Sequence, residues 1–241
     1  MPLDALPAIG RAALLLDLDG TLIDIAATPD AVRVAAGLPE VLARLGERLG
    51  GALAIVTGRP IAQVDGLLPG MGVVAGEHGG VVRVGGVERR AALPGVPEVW
   101  VAEAKRVAEE HPGVLVEQKE RGFVFHYRAA PGVGPMLGEV ARAMVAQDGR
   151  FQVISALMAW EIRPGGVDKG SAVEALMGAA PFAGRVPVFI GDDVTDEDGM
   201  RVARRMGGAG LRVAEAFGDA AGVRDWLARA AETGAWPQRP F

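Results

Sequence analysis

The sequence predicts an α/β core with a parallel sheet, interrupted once by an α+β insertion. Three observations predict it. Short, wholly apolar runs alternate with stretches of helical periodicity near both ends of the chain. The middle third switches to helix, two strands, helix, two strands. Acidic residues follow directly on two of the apolar runs, where α/β sheets place their sites.

Ala12–Leu18, apolar but for Asp17 near its end, reads as a parallel strand buried on both faces. Leu38, Val41, Leu42, Leu45 and Leu49 keep helical spacing. Ala52–Val56 reads as a second buried strand, 61–68 as a short helix and 72–75 as a third strand. Val81–Val84 and Val87–Arg89 flank a Gly-Gly pair, a hairpin signal. In the middle, Trp100, Ala104, Val107 and Ala108 suit an amphipathic helix, and 114–119 and 122–128 suit paired strands. Met136, Leu137, Val140 and Met144 suit a second helix, and 151–163 supplies one or two further strands. After Pro164-Gly165-Gly166 the first pattern resumes: helix 169–177, strand 186–190, helix 195–206, a short strand 211–213 and a final helix 219–231. The expected division is therefore 1–95 with 165–241 as the core and 96–164 as the insertion.

The chain has 241 residues, half of them hydrophobic, enough for a substantial core. Gly and Pro stay below the low-complexity range of roughly 25–30%. The absence of Cys excludes disulfides, thiolate metal sites and a thiol nucleophile. A net charge of −5 argues against nucleic acid as a partner. No apolar run approaches the ~18–20 residues needed to span a bilayer, and the N-terminus lacks a basic region and a cleavage site. The expectation is a soluble, cytoplasmic monomer with no membrane partner. No flexible tail is expected beyond the last residues, AWPQRPF. Only three of the 25 basic residues are Lys: Lys105, Lys119 and Lys169. In an Arg-rich chain each Lys invites its own explanation.

Four segments carry chemistry. DLDGT at 17–21 puts Asp17 and Asp19 at the end of the first strand, where like charges repel unless a cation or shared proton intervenes. GDDVTDED at 191–198 places Asp192 and Asp193 at another strand end, with Asp196 in the turn that follows. If the two strands are neighbours, the carboxylates converge on a hard-cation site suited to Mg²⁺. IVTGR at 55–59 sets Thr57 at a third strand end; with Gly58 and Arg59 it suits a phosphate site, and it equally suits a helix cap. Lys169 opens a helix, where a cation opposes the macrodipole and calls for an anionic partner.

These four segments, in this order, resemble the motifs of the haloacid dehalogenase-like phosphatases, and more closely the trehalose-phosphatase family. The latter resemblance rests on GDDVTDE at 191–197, Glu77-His78-Gly79 after the third strand, and Lys169-Gly170. It implies a Rossmann-like parallel-sheet core and an inserted cap that selects the substrate. It also implies that Asp17 is the nucleophile on a phosphate monoester and Asp19 the acid/base. Mg²⁺ would be held by Asp17, the Asp19 carbonyl and Asp192. Gly20, Thr57, Gly58, Arg59 and Lys169 would contact the phosphoryl group. Asp193 and Asp196 would orient Lys169 or metal-bound water.

The same resemblance assigns Glu117, Lys119 and Glu161 in the insertion to the sugar. Strand alternation over 122–128 supports a polar face on its own terms: Phe123, Phe125 and Tyr127 point one way, and Val124, His126 and Arg128 the other. That face suits sugar hydroxyls or simply solvent, and His78 suits a sugar contact or a turn. Lys105 and His111 read as surface residues. The expected reaction is hydrolysis of trehalose 6-phosphate. A phosphatase of sucrose or glucosylglycerol phosphate is a same-class rival. A receiver-like phosphate sensor is a remote one, since it has no use for Asp19 or the insertion.

Overall fold

The computed structural model describes residues 3–26 and 32–238. The chain divides into two compact units, Met1–Ala91 with Val167–Phe241, and Ala92–Gly166. The first unit begins with β1 (Ala12–Leu16), α1 (Leu38–Arg48), β2 (Leu53–Val56), α2 (Ile61–Leu67), β3 (Val73–Gly76), β4 (Val81–Val84) and β5 (Val87–Arg90). The second comprises α3 (Glu98–Glu110), β6 (Leu115–Gln118), β7 (Phe123–His126), α4 (Gly134–Val145), β8 (Phe151–Ala156) and β9 (Ala159–Pro164). The first unit then resumes with α5 (Lys169–Met177), β10 (Val186–Gly191), α6 (Asp196–Arg205), β11 (Ala209–Arg212), α7 (Val213–Ala216) and α8 (Ala220–Thr233).

The first unit is built on a seven-stranded sheet of order β11-β10-β1-β2-β3-β4-β5. Its first five strands are parallel, and β4 and β5 add an antiparallel hairpin at one edge. The uniform apolar run of β1 follows from its central position, because successive side chains enter different cores. Ala12, Leu14 and Leu16 pack with α1, α2 and α8, whereas Ala13 and Leu15 pack with α5 and α6. The last strand departs from sequence expectation at a glycine. β11 begins at Ala209 rather than Leu211, and Val213 starts a one-turn helix. Gly210 pairs with Phe189 in the strand, and a side chain there would run into Met200 of α6, at 2.5 Å. Close packing of helix on sheet, not turn formation, explains that glycine. The tail also differs from expectation: Trp236 stacks on Trp226 with centroids 4.9 Å apart, and its indole N–H donates to the Pro7 carbonyl. Residues 239–241 of the expected tail lie outside the described residues.

The second unit is a four-stranded antiparallel sheet, order β6-β7-β9-β8. Phe123, Phe125, Phe151 and Ile162 pack against Trp100, Ala104 and Val107 of α3 and Leu137, Ala141 and Met144 of α4. Trp100 meets Phe151 edge-on at 5.2 Å, the geometry aromatic quadrupoles favour. The helices thus cover one face of this sheet. Among the described residues no helix is long and apolar enough to cross a membrane.

Candidate active site

The sheet order brings the motifs together. β1 lies between β2 and β10, with Leu16 opposite Ile55 on one side and Ile190 on the other. The residues leaving these three strands, Asp17, Thr57 and Asp192, therefore start from neighbouring positions. The Asp17 N–H donates to the Ile190 carbonyl at 2.9 Å, which holds the strand end in register.

Lys169 stands at the first position of α5 and is 3% exposed. Asp168 caps this helix in a reciprocal capping box with Ser171: Asp168 Oδ1 accepts the Ser171 N–H and Ser171 Oγ accepts the Asp168 N–H. The Lys169 Nζ donates to Asp17 Oδ1 and Asp196 Oδ1, both at 2.6 Å. Thr21 Oγ1 donates to the other Asp17 oxygen at 3.1 Å. Asp196 is fully buried, and its second oxygen accepts the backbone N–H groups of Asp192 and Asp193. One carboxylate thereby fixes both the ammonium and the acidic loop. Arg212 of β11 supports that loop from behind, donating to the Asp192 carbonyl and pairing with Glu197. Asp193 turns its carboxylate back to the Val194 N–H.

Carboxylate oxygens of Asp17, Asp192 and Asp196 lie within 4.8 Å of one another. All donors are hard oxygens, the set a small divalent cation such as Mg²⁺ takes. Gly20 makes the approach possible. Its φ is +76°, and a side chain there would coincide with the Asp192 carboxylate, 2.0 Å from Oδ2. The Asp19 side chain lies outside this trio.

The electrostatics reflect the crowding. Burial pushes the Asp17 carboxyl well up; Lys169 pulls it down by less, and Asp196 and Asp192 push it further. Burial would lower Lys169, but Asp17 and Asp196 outweigh it and raise the ammonium. One ammonium serves two buried carboxylates, and the site keeps a surplus negative charge. Asp192 is pushed up to about 6 by burial and by the neighbouring Asp196 and Asp193. A carboxyl raised above its unfolded value of roughly 3.9 is protonated more readily in the native state. Its ionisation then costs stability as pH rises between those two values, and the cost persists above them. In EDTA, Asp192→Asn is expected to melt above wild type at pH 7.5 and with it at pH 4. An equal or lower melting temperature at pH 7.5 would contradict this.

Thr57 is buried and does not cap α2, whose first turn follows Pro60; its hydroxyl accepts the Arg59 N–H at 3.2 Å. Arg59 carries its guanidinium to Asp19, with Nε and Nη2 each 2.6 Å from a different carboxylate oxygen. This two-pronged pair spans 40 residues and was not expected from the sequence. His78 is buried, 7% exposed, with its ring over Gly58.

In the second unit, β6 pairs with β7 and β7 with β9 so that Glu117, Val124 and Glu161 lie side by side. His126 Nε2 is 2.9 Å from Glu117 Oε2, and Lys119 Nζ is 3.3 Å from Glu161 Oε1. The contact with His126 holds the Glu117 carboxyl below its usual range. Arg128 lies past the end of β7 and is exposed, as is Lys105 on α3.

Solved structures of known proteins share this architecture. A haloacid dehalogenase-like hydrolase from Bacteroides thetaiotaomicron superposes with a TM-score of 0.60 at 16% identity, over 92% of this chain and 98% of that one. The C-terminal domain of the C. albicans trehalose-6-phosphate phosphatase does so with a TM-score of 0.78 at 21% identity, over 92% of each chain. The fold is therefore that of the haloacid dehalogenase-like hydrolases. In sequence, residues 15–220 match the family model for trehalose-phosphatase. The Sinorhizobium fredii protein named "Probable trehalose-phosphate phosphatase" is 42% identical over 204 residues, which are 83% of this chain and 77% of that protein. The chain belongs to the trehalose-phosphatase family.

Proposed function

We propose that the chain is a Mg²⁺-dependent phosphatase that hydrolyses trehalose 6-phosphate to trehalose and phosphate through an aspartyl-phosphate. The observation that carries this reading is the buried Asp17–Lys169–Asp196 constellation beside Asp192 at adjoining strand ends. It supplies a fixed carboxylate nucleophile next to a fixed cation. The family membership and the names of the relatives support the substrate.

Asp17 Oδ attacks phosphorus in line, and the bond from phosphorus to the sugar oxygen breaks. Asp19 gives that oxygen its proton, then removes a proton from the water that attacks the aspartyl-phosphate; such acid–base help is worth about 10²–10⁴-fold. In the structure Arg59 holds the Asp19 carboxylate by both oxygens, so Asp19 takes up a proton and releases one prong of this pair before it serves the leaving oxygen. Thr57 and Lys169 take the remaining phosphoryl oxygens and offset their charge. Asp17, the Asp19 carbonyl and Asp192 would hold Mg²⁺, with Asp196 and Asp193 shaping the loop. Bound there, the ion supplies charge neutralisation for the phosphoryl group. Glu117, Lys119 and Glu161 are assigned to the sugar hydroxyls, with His126 holding Glu117. The protein would act as a cytoplasmic monomer.

The test is phosphate release with Mg²⁺ from trehalose 6-phosphate, sucrose phosphate, glucosylglycerol phosphate and p-nitrophenyl phosphate. The expected order places trehalose 6-phosphate first in kcat/KM; preference for another sugar phosphate would overturn the substrate but not the reaction. Lys119→Arg replaces a point charge with a broad fork beside Glu161. It is expected to lower kcat/KM for trehalose 6-phosphate at least about tenfold, the loss of one charge-assisted contact. Turnover of p-nitrophenyl phosphate should not change.

A further inference from the structure

Glu77, His78 and Gly79 follow β3 with φ of +52°, +56° and +100°, three successive residues in the left-handed region. Only the last is a glycine, so two consecutive side-chain-bearing residues hold an uncommon left-handed backbone. The turn touches the backbone of Thr57 and the turn of α5 that carries Lys169. On one side, the His78 N–H donates to the Thr57 carbonyl at 2.9 Å and the Glu77 N–H to the Arg59 carbonyl at 3.1 Å. The imidazole fills the space that a side chain on residue 58 would take: a Cβ there would lie 2.5 Å from Nε2 and 2.7 Å from Cε1. On the other side, Gly79 abuts the head of α5. A Cβ on it would lie 3.0 Å from both the Asp168 carbonyl and the Ala172 Cβ, within the turn that carries Lys169.

We propose that the 77–79 turn is a positioning wedge that sets the spacing of Thr57 and Lys169, and that His78 acts through Gly58 instead of contacting the sugar. The inference rests on the phosphatase reading for the roles of those two groups. Left-handed strain orients the imidazole onto the 57–59 backbone, and the missing side chain at 79 seats the same turn on α5. A displacement of either partner by about 1 Å would misalign the phosphoryl group, a fault that costs up to about 10²-fold in rate.

The experiment measures kcat and KM for trehalose 6-phosphate and p-nitrophenyl phosphate, in parallel with thermal melting. The variants are His78→Asn, His78→Gly, Gly58→Ala and the double variant Gly58→Ala with His78→Gly. Asn and Gly both accept left-handed backbone, so these variants remove the ring while keeping the turn. Each single variant is expected to lower kcat about 10–100-fold on both substrates, with KM for trehalose 6-phosphate little changed. In the double variant the new methyl enters the space the ring has left. Its kcat should equal or exceed that of His78→Gly, so the losses do not multiply. A rise in KM confined to trehalose 6-phosphate would make His78 a sugar contact and overturn the proposal. So would multiplying losses, or unchanged kcat in all variants. If His78→Gly does not fold, His78→Asn and Gly58→Ala decide. Wild type that hydrolyses p-nitrophenyl phosphate but not trehalose 6-phosphate would sink the substrate reading and leave this comparison standing. Calorimetric binding of orthovanadate repeats it without turnover: tighter binding by wild type than by His78→Gly supports the wedge, and equal binding overturns it.

Discussion

Asp17→Asn is expected to lose turnover by at least about 10⁴-fold, the scale seen when a nucleophile is removed, in a protein that melts no lower than wild type. The two halves of this result have separate causes. An amide cannot attack phosphorus, and Asp196, the other carboxylate on Lys169, is committed to the Asp192 and Asp193 N–H groups. The amide nonetheless fits. Its oxygen can accept from Lys169 as Oδ1 does, and its NH₂ can donate to Thr21, whose hydroxyl rotates to accept. Stability gains from the loss of charge. Burial and the nearby Asp196 and Asp192 raise the Asp17 carboxyl, so its ionised form costs stability at neutral pH and little at acid pH. The substitution should therefore help most near pH 7.5 and least near pH 4. Rapid acid quenching with labelled substrate should leave phosphate on wild type and none on the variant. Retained turnover, or label still bound to the variant, would remove Asp17 from the nucleophile's place.

The acid and lysine motifs are legible in the sequence because each breaks a local rule. Asp17 ends a run buried on both faces, and Lys169 opposes a helix dipole. Such conflicts need a partner to resolve them, and a reader of the sequence can ask for one without knowing which it is. The partners themselves are not legible. That Lys169 reaches Asp17, 152 residues away, and Asp196, 27 residues away, depends on β10 and β1 being neighbours. Arg59 reads as a phosphate ligand by position, yet its fork closes on Asp19 across the β1–β2 pair. The same distinction governs the fold. β1 and α5 declare themselves, since Ala12–Leu16 is apolar throughout and the helix over 169–177 follows the Pro164-Gly165-Gly166 break. β11 does not, because Ala209 and Gly210 are small for the sake of α6 packed above them and lack the β-branched signal of a strand. His78 is a third case: its left-handed backbone carries no sequence signature, and only the space above Gly58 shows what the ring occupies.

Lys169→Arg is the second large effect, a loss of about 10²–10³-fold in kcat despite retained charge. Nζ meets two carboxylate oxygens that converge on one point, 2.6 Å away on each side, in a site that is 3% exposed. A guanidinium spreads its donors across a plane and is bulkier than an ammonium. In this closed space it must push Asp17 or Asp196 aside, and overpacking of this kind costs about 1–3 kcal/mol. Lys105→Arg, on the exposed side of α3, should change nothing and serves as the control. Lys169→Met separates charge from shape. It leaves Asp17 and Asp196 facing each other without a cation, and breaking a buried pair costs about 3–5 kcal/mol, so the melting temperature should fall more than for Lys169→Arg. Adding Asp196→Asn should restore part of that loss. The Asn carbonyl can keep the Asp192 and Asp193 N–H groups while its NH₂ turns toward Asp17. Turnover should stay lost, because neither residue then brings a cation to the phosphoryl group. A Lys169→Arg protein with near-normal kcat would show that charge alone suffices there and that the ammonium's shape is immaterial. Recovery of turnover in the double variant would show that Lys169 serves only to neutralise the buried acids.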